Sequence, residues 1–232
     1  MRLATLGYAT LFLTGLLTVP VPAAAQKDTE TVNRTVAFPD KGTLKIDNFS
    51  GRVTITATGG KDVVVKAIRR AERDRLDHIK LDIHVDGSMV VIDANKRDSS
   101  WREQNDNVVD TELDIEVPAS ATLRVGSFSS PIDIRGIAGD QTLRTFSGNI
   151  TVTGAKGAVN LDSFSGDLDL DVTGAGASPE VRAKTFSGDM RLRMAADARG
   201  EVSFSGHRGA FDSVGNHGVT FDTFSGHIRI VK

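Results

Sequence analysis

The tripeptide Phe-Ser-Gly recurs along this chain, and its spacing constrains the fold more than any other feature. It stands at Phe49-Ser50-Gly51, Phe146-Ser147-Gly148, Phe164-Ser165-Gly166, Phe186-Ser187-Gly188, Phe204-Ser205-Gly206 and Phe224-Ser225-Gly226. A decayed copy occupies Phe128-Ser129-Ser130. From Phe128 onward the copies are 18, 18, 22, 18 and 20 residues apart. A beat of that length marks a repeat architecture, in which each unit covers the apolar face of its neighbour.

Each unit has two arms. Val159 and Leu161, Val181 and Ala183, and Val219 and Phe221 precede the tripeptide at period two. Ile150 and Val152, Leu168 and Leu170, Met190 and Leu192, and Ile228 and Ile230 follow it, again at period two. Strict alternation reads as half-buried strand. The apolar parity is odd at 159 and 161 and even at 168 and 170, so the tripeptide must hold a corner that resets which face points inward. Gly permits the backbone angles of such a corner, and Phe is expected to fill the space behind it. Two short strands cannot bury an apolar face alone. Stacked at the ~4.8 Å strand spacing, with Phe over Phe and Ser over Ser, they build a continuous core.

The predicted fold is therefore all-β: a single-stranded parallel β-solenoid (β-helix) of about 18–22 residues per rung, with an irregular β N-terminal part. Propeller blades are longer (about 40 residues), and the leucine-rich frame is missing. A hexapeptide coil ranks second: Phe146, Val152, Ala158, Phe164 and Leu170 fall six apart, but the later steps of 22 and 20 do not fit it.

The N-terminal part, residues 26–120, holds one full unit, "GTLKIDNFSGRVTITATGG". After it come a strand "DVVVKAI", a charged stretch from Arg69 to Asp77 read as a short helix, and "HIKLDIHVDGSMVVIDA" as a hairpin turning at Asp86-Gly87. Asn95 to Asn107 is polar and aperiodic, a loop. "TELDIEVP" is a strand with Leu113, Ile115 and Val117 inward. This part is expected to cap and continue the solenoid of residues 121–232, with a separate small β domain as the alternative.

Residues 1–25 carry the layout of a secretory signal peptide: Arg2, an apolar run from Leu3 to Val19, and Ala23-Ala24-Ala25 before Gln26. The run falls short of the ~20 residues of a membrane span. Export to the periplasm or the cell surface follows, with no membrane span once the signal is cleaved. The chain has no Cys, which excludes disulfides, thiolate metal sites and a Cys nucleophile. A formal net charge of −2, one unit more acidic once Arg2 is removed, gives no electrostatic case for nucleic acid.

Tandem copies of T-x-S-G-[DN]-[ILV]-x-[ILV], as in "LRTFSGNITV", "LDSFSGDLDL" and "AKTFSGDMRL", follow a strand that ends at Val117-Pro118. With the signal peptide and the isolated F-S-G-x-V-x-I unit, this resembles the bacterial domain-of-unknown-function family labelled "putative adhesin". The similarity covers roughly residues 30–232. It implies a β-solenoid in the bacterial envelope and carries no catalytic residues to transfer. Ser129-Ser130-Pro131 and "HRGAF" at 207–211 depart from the pattern and are expected to loosen their rungs.

The serines read as architecture, because a nucleophile would not be copied at every rung and the G-x-S-x-G elbow is absent. No catalytic residue and no cofactor is assigned. After each Gly stand Asn149, Asp167, Asp189, His207 and His227; Asp189, His207 and His227 are the candidate metal ligands, weighed against a plain solvated turn column. Glu112, Asp114 and Glu116, and Asp167, Asp169 and Asp171, form carboxylate stripes that a polysaccharide-cleaving enzyme could use, but Arg191 and Arg193 suggest cross-rung ion pairs instead. Trp101, in the polar loop, is either a partner contact or packs back on the solenoid end. Arg69, Arg70, Arg73 and Arg75, interleaved with Glu72 and Asp74, read as a solvated face.

The expectation is a non-enzymatic binding or structural module of the cell envelope, with an envelope protein or glycan as partner. The alternatives are a scaffold that self-associates through an uncapped C-terminal end at "HIRIVK" and, behind it, a carbohydrate-active enzyme.

Overall fold

The computed structural model describes residues 27–98, 108–175, 180–196, 202–206, 211–212 and 219–231; for 202–206, 211–212 and 219 the backbone alone is described. The signal peptide reading of 1–25, Trp101 and His207 lie outside the described residues.

The strands curl as one sheet, joined through β2 (Thr43–Thr58), and its two parallel runs on either side of the corner share one core. Strands before the corner are β5 (Met89–Arg97), β7 (Thr122–Ser129), β9 (Gln141–Ser147), β11 (Val159–Ser165), β13 (Val181–Ser187), β15 (Val202–Gly206) and β17 (Val219–Ser225). Strands after it are β6 (Asp110–Pro118), β8 (Ile132–Arg135), β10 (Ile150–Thr153), β12 (Leu168–Asp171), β14 (Met190–Arg193), β16 (Phe211–Asp212) and β18 (Ile228–Val231). The long strand β2 passes through the corner and belongs to both runs. All these pair in parallel, with equivalent residues level: Val159 faces Gln141 and Val181, and Leu168 faces Ile150 and Met190. Leu44, Ile55, Leu123, Ile134, Leu143, Leu161, Leu170 and Leu192 lie in one continuous buried cluster. Phe146 and Phe164 point outward while Val152 and Leu170 point inward, so the six-residue coil is excluded.

Two features of the order of rungs differ from simple winding. At the C-terminal end β13 pairs with β17, and β17 pairs with β15 on its other side. The last segment of sequence thus sits against the 181–193 rung, and β15 and β16 lie outside it. The expected uncapped final strand is corrected: β18 lies between β14 and β16. In β15 the register places Phe204 level with Phe221, three residues out of phase with the other tripeptides. At the N-terminal end β2 sits next to β7 and β8, while the later strands β5 and β6 lie outside it.

Antiparallel strands close this end. β3 (Asp62–Ala71) pairs with β6 and with β1 (Asp28–Ala37), and β4 (Ile79–Asp86) pairs with β5 through a turn at Gly87-Ser88, one residue later than expected. The helix α1 (Arg73–His78) is shorter than the charged stretch. Arg69 and Arg70 belong to β3, where the alternation that buries Val63, Val65 and Ala67 buries Arg69 as well. The reading of Arg69 as part of a solvated face is corrected: it is 1% exposed, pairs with Glu30 and donates to the Ile79 carbonyl. Asn95, Lys96 and Arg97, read as loop, extend β5.

Candidate functional site

The tripeptides form the corner, but their phenylalanines do not fill the space behind it. Alternation puts the preceding residue inward: Asn48, Thr145, Ser163, Thr185 and Thr223 are buried. The next residue must then face out. Phe49, Phe128, Phe146, Phe164, Phe186 and Phe224 are 37 to 54% exposed and stack ring on ring. Centroid spacings run from 4.7 to 5.0 Å and interplanar angles from 1 to 12°. This is the offset-stacked range for aromatic pairs, imposed by the pitch of the strands. Phe186 stacks directly on Phe224 at 4.8 Å, because the 219–231 rung lies against 181–193.

The column is one wall of a groove along the solenoid axis. The other wall is the outward residue two positions earlier on each rung: Asp47, Gly126, Arg144, Asp162, Lys184 and Asp222 stand level with one another. Three adjoining hollows line this face. The one between Phe146, Phe164 and Phe186 and the Arg144–Asp162–Lys184 wall holds about 450 Å³. The hollow beside Phe49 and Phe128 holds about 300 Å³. Gly126 lines all three, and its missing side chain joins them.

The glycine column explains why the corner is glycine. A Cβ on Gly166, Gly188 or Gly226 would lie 2.2, 2.2 or 2.0 Å from the carbonyl oxygen of the glycine in the rung before. Ser130 takes this position in the decayed copy. It is fully buried and accepts a hydrogen bond of 3.2 Å from Asn48 Nδ2, so this rung is tied to its neighbour rather than loosened. The serines Ser147, Ser165, Ser187 and Ser225 stand level on successive rungs and are exposed.

The column after the glycines is a ladder of backbone caps. Asp167 N–H donates to Asn149 Oδ1, Asp189 N–H to Asp167 Oδ1 and His227 N–H to Asp189 Oδ1, each at 2.9 Å. The His227 N–H, with the imidazole 3.3 Å away, holds the Asp189 carboxyl below the usual carboxylate range. Of the three candidate metal ligands the structure brings Asp189 and His227 together, as partners of each other. Among the described residues no group of three metal-ligating side chains occurs.

Within the carboxylate stripes Asp167, Asp169, Asp171 and Glu112 have partners. Asp169 and Asp171 face Arg191 at 3.7 Å and Arg193 at 3.2 Å on the next rung. Burial alone would raise Asp171, but Thr173 and Arg193 outweigh it and hold the carboxyl low. Glu112 accepts from Arg70 at 2.6 Å. Asp114 lies level with Lys66 in the register.

The chain is similar to several solved structures. A putative cell adhesion protein from Clostridium sporogenes aligns over 88% of this chain and 99% of its own, at 12% identity and a TM-score of 0.47. A putative adhesin from Bacteroides fragilis aligns over 87% and 97%, at 13% identity and a TM-score of 0.43. No curated protein matches the chain. Residues 43–231, from the first corner-bearing strand to the last, match the family described as Toastrack DUF4097, and the chain is a member of that family.

Proposed function

We propose that this chain is an exported, non-enzymatic binding module of the bacterial cell envelope, and that the phenylalanine column with its groove is the surface it binds with. One observation carries the reading: six half-exposed aromatic rings in an unbroken line on an otherwise polar outer face. At roughly half of a ring's area each, they expose on the order of 500 Å² of apolar surface, the size of patch that marks an interaction site. The rigid ladder beneath it needs no ordering on binding, which favours affinity. Asp169 and Asp171 are engaged in ion pairs and Asp167 in a backbone cap, which suits a structural role for this stripe. Among the described residues no helix is long and apolar enough to cross a membrane.

The test has two arms. Protease added to producing cells is followed by antibody, intact, after opening of the outer membrane, and after lysis. Degradation in either of the first two places the protein in the envelope; protection until full lysis overturns the export claim. Purified protein is then sedimented with isolated envelopes of the same cells. Wild type is expected to co-sediment saturably and Phe164→Ser to lose most of that binding; equal binding by both removes the column from the function.

A further inference from the structure

The column and groove also indicate what covers them. The rings stack face to face, so each interior ring has both faces against its neighbours and offers the outside only its edge. A sugar binds an aromatic side chain through the open face, and the interior rings offer none. A partner touching all six rings alike must repeat every ~4.8 Å along the solenoid axis, which an extended peptide, at ~3.3 Å per residue, does not. A second stack of β-strands does. We propose that the phenylalanine column and its groove are the contact through which two copies of this chain associate, side by side, with solenoid axes parallel and rungs level. This rests on the reading of the column as a binding surface and names its partner.

Shape sets the arrangement. A ridge beside a groove fits its own copy only when the two-fold axis runs along the solenoid: rotation then lays each ridge in the other copy's groove. A two-fold across the solenoid would set ridge on ridge. Charge agrees with the parallel arrangement, in which the residue two positions before each Phe meets the residue three positions after it on the level rung of the partner. Asp47, which also pairs with Lys45 of its own strand at 3.1 Å, then faces Arg52, Lys184 faces Asp189, and Asp222 faces the imidazole of His227, the partner of Asp189. Arg144 meets the polar Asn149, Gly126 meets Pro131, and Asp162 with Asp167 is the one like-charge pair. Complementary potential of this kind fixes register more than it adds affinity. The contact, about 24 Å long and about 20 Å across, covers on the order of 500 Å² per copy, at the lower end for a specific interface and in the range of micromolar association.

The experiment is sedimentation equilibrium on protein purified after expression of the full 232-residue chain. Wild type is expected to dimerise with a Kd of about 1 to 50 μM. Phe164→Ser is expected to weaken this at least tenfold. The exposed pair Asp47 and Arg52 tests the arrangement without touching the stack: Asp47→Arg should weaken dimerisation several-fold, and adding Arg52→Asp should restore it. A wild type that stays monomeric to about 200 μM overturns the proposal, as does a double variant no tighter than Asp47→Arg. If wild type is monomeric while Phe164→Ser still loses envelope binding, the dimer falls and the binding-surface reading stands. If neither association depends on Phe164, both fall.

Discussion

The glycine column makes the sharpest demand on the sequence, and replacing Gly188 with Ala measures it. The new Cβ would stand 2.2 Å from the Gly166 carbonyl oxygen and 2.7 Å from its carbon. Contacts under 3.0 Å do not occur, so the two rungs must part by on the order of 1 Å. Parting stretches the bonds that join these two rungs at the corner, Gly166 N–H to the Ser187 carbonyl at 3.0 Å and Leu168 N–H to the Asp189 carbonyl at 2.9 Å. A stretch of that size takes them beyond bonding range, at about 1 to 1.5 kcal/mol each. Gly188 also sits at φ +151°, where an L-residue adds about 1 to 3 kcal/mol of strain. The expected loss is about 3 to 6 kcal/mol, read from the urea or guanidinium midpoint with the m-value unchanged. Gly126→Ala is the control, because its Cβ meets the flexible end of Asp47 at 3.1 Å and the Ile46 carbonyl oxygen at an ordinary 3.8 Å. That variant should stay within about 1 kcal/mol of wild type. A loss below about 1 kcal/mol for Gly188→Ala would refute the close-approach account of the corner.

Four further outcomes follow from the same structure. The inward hydroxyls of Thr145 and Thr223 are buried without a hydrogen-bond partner, so Thr145→Val and Thr223→Val should be neutral or stabilise by up to about 1 to 2 kcal/mol; destabilisation by either in thermal melts would show that the hydroxyl is used. Asp189→Asn keeps the oxygen that accepts the His227 N–H, as Asn149 does for Asp167, so stability at neutral pH should change by less than about 0.5 kcal/mol. The folded-state carboxyls of Asp82, Asp171 and Asp189 are depressed, so the stability they contribute is present above the ordinary Asp pKa of about 4 and lost as pH falls through the depressed values; denaturation titrations should show Asp189→Asn with a shallower acid limb than wild type. Glu30→Ala leaves the buried Arg69 with the Ile79 carbonyl and should cost about 2 kcal/mol, below the range for a fully buried pair because Glu30 is half exposed; a change under about 0.5 kcal/mol would make that pair ornamental.

Much of the solenoid was legible because its signals are local. Alternation located the strands, the parity change across Phe-Ser-Gly located the corner, and the beat of the copies implied stacking. The direction of Phe was legible too, but hydrophobicity argued against it: the alternation that buries Val159 and Leu161 buries Ser163 and turns Phe164 out. Arg69 is the same case, buried by the parity of Val63, Val65 and Ala67 although its charge suggested solvent. The order of rungs was not legible. Nothing local distinguishes a segment that stacks next from one that stacks after an intervening return, so Phe204 was counted into a column that the register of β15 excludes it from. The groove depends on Gly126, whose lack of a side chain has meaning only once six rungs are level.

The account depends on an unbroken column, and the column depends on the rung of 219–231 lying directly against that of 181–193. The chain has no native Cys, so paired substitutions report the neighbour cleanly. Strand neighbours at ~4.8 Å fall within the Cα separations a disulfide spans. The double variant Ser187→Cys with Ser225→Cys is predicted to form an intramolecular disulfide under mild oxidant, while Ser187→Cys with Ser205→Cys stays reduced. A bond in the second variant and none in the first would mean that the rungs wind in sequence order, the aromatic column is interrupted after Phe186, and the surface proposed here does not exist as described.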